Sequence, residues 1–245
     1  MKEPNPGLER VQFALRSTGV KLEHHNPLRS GIHCRGYLPH VKREGASYFV
    51  TFRLADSLPT EVLVKLENRR AEQLRRLAAQ QEALADGLRS QPPEETEEEI
   101  NRGFRREIER YLDRGAGECY LVRPSIAELV ANAIRFFDGQ RYLVNAWVVM
   151  PNHVHAVVWP MPNHLLGEIV RSWKGFTSRK ANQILDRVGQ AFWQPESFDH
   201  WIRDDDEKAR ICRYVIHNPV NAGLAKTPQE WRWSSAWAGW KTTSA

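Results

Sequence analysis

Hydrophobic and polar positions change their period several times along the chain, and each change marks an element. Residues 47–55, SYFVTFRLA, are aromatic and β-branched with partial alternation, which predicts a strand. From 58 to 118, Leu63, Leu66, Leu74, Leu77, Leu84 and Leu88 recur at near-helical spacing amid dense charge. Gln91-Pro92-Pro93 interrupts that run and EETEEEI resumes it, so two helices with a turn near Pro92 are expected. In 125–139, Ile126, Leu129, Val130, Ala133, Ile134 and Phe137 form one apolar helical face. Ser125 with Glu128 fits a capping box, and Gly139 is placed to end that helix.

Residues 142–150, YLVNAWVVM, and 153–159, HVHAVVW, read as two strands separated by Pro151-Asn152. A helix is expected over about 165–185, and 191–203 is aromatic and irregular with room for a short strand. Asp204 with Glu207 opens a further helix, expected to run to about Tyr214 and to end or bend at Asn218-Pro219. The closing WRWSSAW reads as an aromatic tail that packs down. With 58–118 set aside as a long helical insertion, the order is close to βαββαβ plus a final helix. That order predicts an α+β class: a ferredoxin-like sandwich with an antiparallel sheet. The expected organisation is an N-terminal arm over 1–30, rich in Pro and polar residues, then a single domain over 31–245 interrupted at 58–118.

Composition changes this picture in a few places. The chain has 245 residues, 41% hydrophobic and 27% charged, which suits a folded core. No apolar stretch approaches ~18 residues, so no membrane span is expected. The N-terminus has no apolar run of the secretory kind, and Cys34, Cys119 and Cys212 are far apart, so a cytoplasmic setting is the expectation. The net charge of +5 decides little until it is divided. Residues 61–118 hold 11 basic and 14 acidic side chains, leaving 24 basic and 16 acidic elsewhere. An acidic insertion therefore masks a more basic remainder, which suits an acidic partner such as nucleic acid.

The sharpest chemical feature is His153-Val154-His155. Residues i and i+2 of a strand share a face, so the imidazoles sit side by side while Val154 faces the core. Two neutral imidazoles on one face can hold a divalent ion, or can simply be two histidines of a half-exposed strand. Tyr214, His217 and Asn218 share one face of the last helix at i, i+3 and i+4. The Asn218 carbonyl suits a hard metal ion, and a phenol can form a covalent ester with phosphate. Without such a site, a tyrosine on an amphipathic helix is a packing residue. Arg171, Lys174, Arg179 and Lys180 spread over the helix after the histidine strand, either as phosphate contacts or as a solvated face.

MPNHVHAVVWP, FWQPESFDHWIR, YVIHNPVNAGL and the closing WRWSS together resemble the REP-associated tyrosine transposases of the single-tyrosine HUH superfamily. RGYLPH and SYFVTFRLADSLP near 35–59 resemble the start of longer members, so the likeness covers about 31–59 and 125–240. It implies attack by Tyr214 on single-stranded DNA, a 5′-phosphotyrosine link and a freed 3′-hydroxyl, with rejoining powered by the retained ester. By the same resemblance His153, His155 and Asn218 match the metal ligands, for Mg²⁺ or Mn²⁺. Arg35, Tyr37 and Lys42 match an N-terminal region that reads a short guide sequence beside a REP-type hairpin. His200, in FDHWIR, is placed for DNA contact or proton transfer, or is a structural histidine. The implied partners are single-stranded DNA and REP-type hairpins, in a monomer associated with the nucleoid.

Other functions remain open at this point. A domesticated sequence-specific DNA-binding protein without net transposition would share the same motifs. A histidine-triad nucleotide hydrolase would want a further histidine at position 157, which is Val157. A structural adaptor built on the 58–118 helices has only their charge-rich periodicity in its favour.

Overall fold

The computed structural model describes residues 31–35, 38–42, 45–88 and 90–240. The arm over 1–30 and Tyr37 lie outside them. The described residues fall into two compact units, one ending at Ala55 and resuming at Tyr120, the other spanning Asp56–Cys119.

The first unit is built on a four-stranded antiparallel sheet of β3 (Tyr48–Arg53), β4 (Tyr142–Val149), β5 (His153–Pro160) and β6 (Phe198–Trp201), in the order β4-β5-β3-β6. Helix α3 (Pro124–Arg135) connects β3 to β4, and α4 (Leu166–Ile184) connects β5 to β6. The chain order and sheet order together are the ferredoxin-like βαββαβ arrangement. Helix α5 (Asp205–Asn221) follows the last strand. A separate hairpin precedes the sheet: β1 (Gly31–Arg35) pairs antiparallel with β2 (Leu38–Lys42), Gly31 opposite Lys42 and Arg35 opposite Leu38.

Strand alternation sorts side chains between two layers. Tyr48, Val50 and Phe52 of β3 and Val154, Ala156 and Val158 of β5 join Val130, Ile134, Ile169 and Trp173 of α3 and α4 in the larger core. The intervening Phe49 and Val157 join Ile202 and Val215 in a second core, under α5. On β4 the parity changes: Val144 faces Val158, and Ala146 faces Val157, so Asn145 is an inserted bulge residue. The bulge lets Tyr142, Val144, Trp147 and Val149 all face the larger core while Ala146, Val148 and Met150 face α5.

The second unit holds α1 (Thr60–Ala85) and α2 (Glu97–Asp113), with the turn between them containing Pro92 and Pro93. Thr96 and Glu99 form a reciprocal capping box that starts α2. Of the leucines at helical spacing, Leu66 and Leu77 are buried, whereas Leu88 lies beyond the end of α1 and is exposed. The bidentate pair from Arg69 to Glu107 and the bond from Arg70 to the Asn101 amide tie the two helices together.

Three boundaries differ from expectation. Helix α3 starts at Pro124, whose fixed φ suits the first turn, so Ser125 lies inside the helix and does not cap it. It ends at Arg135, and Gly139, at φ +82°, serves instead the turn into β4, its N–H donating to the Tyr142 carbonyl. Helix α5 does not stop at Asn218 but carries Pro219 within its last turn. A proline there forfeits only one intrahelical bond near a terminus. The end is closed by the Ala222 and Leu224 amides, which donate to the Asn218 and Pro219 carbonyls.

Helix α5 begins at a side-chain cap. Asp204 accepts the Glu207 amide at 2.7 Å, and three acidic residues occupy the first turn. Asp204→Ala is expected to lower stability by about 1 kcal/mol, with Asp204→Ser restoring most of it. Chemical denaturation of the three proteins checks this, and an unchanged midpoint for the alanine variant would refute the capping role.

Candidate active site

The two histidines predicted to share a face do so, and both are essentially without solvent exposure. Their Nε2 atoms face each other at 3.1 Å. Each ring is held from its Nδ1 side. Asn152 Oδ1 lies 2.8 Å from His153 Nδ1, and Thr51 Oγ1 lies 2.7 Å from His155 Nδ1. With Asn152 accepting, the His153 proton sits on Nδ1 and the Nε2 lone pair turns to the shared space. Thr51 reaches His155 because the two residues are direct partners in the β3–β5 ladder.

Burial makes both imidazoles poor bases. It is the main cause holding His153 well below the ordinary range, aided by the neighbouring His155 and the Arg53 charge, and it pushes His155 down to about 3. Both are therefore neutral at physiological pH, the state that ligates metal.

Helix α5 brings Tyr214 to this face. Its ring centroid lies 5.7 Å from that of His155 and 6.1 Å from that of Phe49, which itself stacks on His155 at 5.3 Å. Asn218, one helical turn further, is buried, and its Oδ1 has no hydrogen-bond donor among the described residues. A buried carbonyl oxygen without a donor is costly, and a cation satisfies it. No group of three His, Cys, Asp or Glu side chains able to hold a metal occurs among the described residues. The donor set that fits a divalent ion is thus two neutral imidazoles and one amide oxygen.

Several supporting residues carried no signal of their own in the sequence. Thr51 and Asn152 fix the rings. Arg53 lies directly opposite His153 in the ladder and sets a positive charge beside it. Period-2 counting from Phe49 puts Thr51 and Arg53 on one face, but only the pairing with β5, a hundred residues away, gives them partners. His200, on β6 opposite Phe49, donates to Glu207 Oε1 at 2.9 Å while Glu207 Oε2 accepts the Arg203 amide. Burial alone would raise the Glu207 carboxyl, but the Arg203 amide and the His200 ring outweigh it and hold it below its usual range. Glu207 and Tyr214 stand two turns apart on α5, so this bond pins the helix that carries the tyrosine. His217 turns back to the Arg213 carbonyl at 2.9 Å.

The remaining candidates do not converge on this face. Helix α4 packs on the opposite layer, so Arg171, Arg179 and Lys180 are exposed on the far side of the sheet from His155. Lys174 is not a free phosphate contact: its ammonium binds the carbonyls of Gln194 and Pro195 at 2.7 and 2.8 Å, and burial lowers it to about 8. On the same helix Phe176 is exposed, while Trp173 is buried and donates to Tyr142. Arg35 and Lys42 lie on β1 and β2, in the separate hairpin.

The sheet thus presents paired imidazoles and a tyrosine-bearing helix on one face. Residues 122–218 match the family model for IS200-like transposases. A REP-associated tyrosine transposase of Escherichia coli is 31% identical over 93 residues, covering 38% of this chain and 53% of that protein. An uncharacterised protein of Haemophilus influenzae is 30% identical over 114 residues, covering 36% of this chain and 59% of its own length. The chain thus spans little more than half the length of the curated relatives it matches. Among solved structures, a REP-associated tyrosine transposase bound to a REP hairpin aligns with TM-score 0.42 and 15% identity, over 82% of this chain and 80% of the other. A transposase-like protein of Deinococcus radiodurans aligns with TM-score 0.30 and 14% identity, over 76% and 96%. No helix among the described residues is long and apolar enough to cross a membrane.

The buried neutral histidines make stability depend on acid in a defined direction. The unfolded imidazoles take up protons near 6.5, whereas folded His155 does so only near 3. Between these values the unfolded state binds more protons, so stability falls as pH falls. The limiting slope is about 1.4 kcal/mol per pH unit for each imidazole. Denaturation midpoints across pH 7 to 4 are expected to drop steeply for the wild type and less steeply for His153→Gln/His155→Gln. Parallel curves for the two proteins would refute it.

Proposed function

We propose that the chain binds REP-like hairpins and cleaves and rejoins single-stranded DNA through a 5′-phosphotyrosine intermediate on Tyr214. The observation that carries this reading is the packing of the Tyr214 ring against His155, with the partnerless Asn218 oxygen one turn away. A nucleophile, two neutral imidazoles and an unsatisfied oxygen on one protein face suit phosphoryl transfer better than they suit a packed core.

In the proposed step Tyr214 Oη attacks the scissile phosphorus. The new phosphorus–oxygen bond forms as the bond to the 3′-oxygen breaks, and that oxygen leaves as a 3′-hydroxyl after taking a proton. Attack by a 3′-hydroxyl on the phosphotyrosine reverses the step and rejoins a strand, with the phenol restored. A phenol ionises near 10, so the site has to favour negative charge. Arg53, beside His153, supplies a positive charge on that face, and Phe49 packs edge-on against the tyrosine ring. His153, His155 and Asn218 would hold Mg²⁺ or Mn²⁺, which when bound polarises the phosphate and offsets charge as it develops. His200 and Glu207 act by setting the position of α5. Because Tyr214 packs on His155 of its own chain, the site is complete in a monomer. A DNA substrate makes the nucleoid the place of action.

Incubation with labelled single-stranded REP-like hairpins and Mg²⁺ or Mn²⁺ is expected to give a covalent adduct that resists denaturation. Tyr214→Phe should abolish the adduct while retaining hairpin binding. An adduct that persists in the phenylalanine variant, or retained binding with no cleavage by the wild type, would refute the reading. The metal ligands have a separate readout. Mn²⁺ should raise the melting temperature of the wild type and of Tyr214→Phe, and should not raise that of His153→Ala or Asn218→Ala. An equal rise in all four would refute the ligand set.

A further inference from the structure

Away from the tyrosine, arginine side chains and aromatic rings alternate in a series on the α3 side of the sheet. Arg141 lies over the Phe137 ring at 3.6 Å, and Phe137 meets Phe136 edge-on at 4.7 Å. Phe136 itself is 71% exposed, the most exposed aromatic ring among the described residues. Its neighbour Arg135 lies over Trp240 at 4.4 Å, Trp240 meets Trp237 at 5.5 Å, and Arg232 stands over both Trp237 and Trp233. The series is anchored from beneath, because Trp240 packs on buried Trp147 at 5.6 Å and donates to the Arg232 carbonyl.

Packing alone accounts for Trp233 and Trp147, which are buried. It does not account for an exposed Phe136 in a series that also carries the exposed Arg141 and Arg232. Neither Arg141 nor Arg232 forms an ion pair with a described carboxylate. The acidic groups in the neighbourhood are Asp138, whose carboxylate accepts the Val144 amide, and Glu168, which borders a cleft with Arg141. A guanidinium laid over a ring uses its face and leaves its N–H edges for a second partner, and those edges match phosphate in a bidentate manner. Exposed ring faces between such cations suit unstacked bases.

We propose that this arginine–aromatic band is a second nucleic-acid surface, which holds a single strand on the opposite layer from Tyr214. Phosphates bind Arg141 and Arg232, and a base stacks on Phe136. The inference takes from the proposed function only that the partner is nucleic acid.

Fluorescence anisotropy tests it with the full chain in chelator, so that no cleavage occurs. The probes are a mixed-sequence single-stranded oligonucleotide and the same strand annealed to its complement. Arg141→Gln/Arg232→Gln is expected to weaken single-strand binding roughly tenfold and to reduce the salt slope by about 1.4, at ~0.7 per phosphate. Phe136→Ala is expected to weaken it about fivefold with the salt slope unchanged, since stacking releases no counterion. Phe136→Ala removes an exposed ring, so it decides the matter even where the arginine variant melts early. Wild-type affinity in both variants, or a loss confined to duplex DNA, overturns the proposal. When the wild type still forms the Tyr214 adduct, that result overturns the band alone. A wild type that binds neither probe overturns the band, while the function proposed above is decided by the hairpin adduct.

Discussion

The antiparallel pairing of β3 with β5 is the constraint on which the rest of the molecule depends. These are the two central strands, and each ladder position commits one side chain to each layer. Val50 opposite Ala156 and Phe52 opposite Val154 feed the larger core, while Thr51 opposite His155 and Arg53 opposite His153 feed the other face. A slip of one residue would send the imidazoles into the apolar layer and the valines under α5. The hydrophobic requirement for the larger core thus fixes the register, and the register places the site.

Burying two imidazoles has consequences for both stability and chemistry. Each ring must be hydrogen-bonded from one side and must remain neutral, because a charged imidazole without solvent is strongly disfavoured. Thr51 and Asn152 meet the first demand, and the fall of His155 to about 3 expresses the second. On the same face the buried Asn218 oxygen has no hydrogen-bond donor among the described residues. The tyrosine and this oxygen ride on one helix held at both ends, by the Asp204 cap and the His200–Glu207 bond at the start and by the Ala222 and Leu224 amides at the finish. Rigid elements holding reactive groups in place are what the proposed strand-transfer step requires.

The sequence made much of this legible, for physical reasons. A period of two in HVHAVVW is local information, as is the Asp204 signal or an apolar face at helical spacing, so strands, helices and the shared face of the histidines could be read directly. Sheet order followed from the succession of elements. Features that depend on distant partners could not be read in the same way. Thr51 looks like any strand threonine until His155 is placed opposite it. Lys174 looks like a phosphate contact until its ammonium is seen to bridge carbonyls at 194 and 195. The Asn145 bulge hides inside a strand whose simple alternation it breaks. Pro219 reads as a helix terminator, yet near the end of α5 its cost is a single bond, and Asn218 stays helical beside it.

The two faces of the sheet meet at the β4 edge, and the C-terminal segment is what covers that edge. The Val149 amide donates to the Trp233 carbonyl, and the Ser235 amide to the Trp147 carbonyl, so the segment continues the ladder where an open strand would invite association. Trp231 packs against both cores, and its indole donates to the Val149 carbonyl. The same short segment then supplies Arg232, Trp237 and Trp240 to the arginine–aromatic band. Closing a sheet edge therefore also sets a row of cations and rings on the layer opposite Tyr214. The charge division in the chain acquires a structural sense from this. Among the basic residues outside 61–118, Arg53 adjoins the imidazoles on one face, and Arg141 and Arg232 overlie aromatic rings on the other.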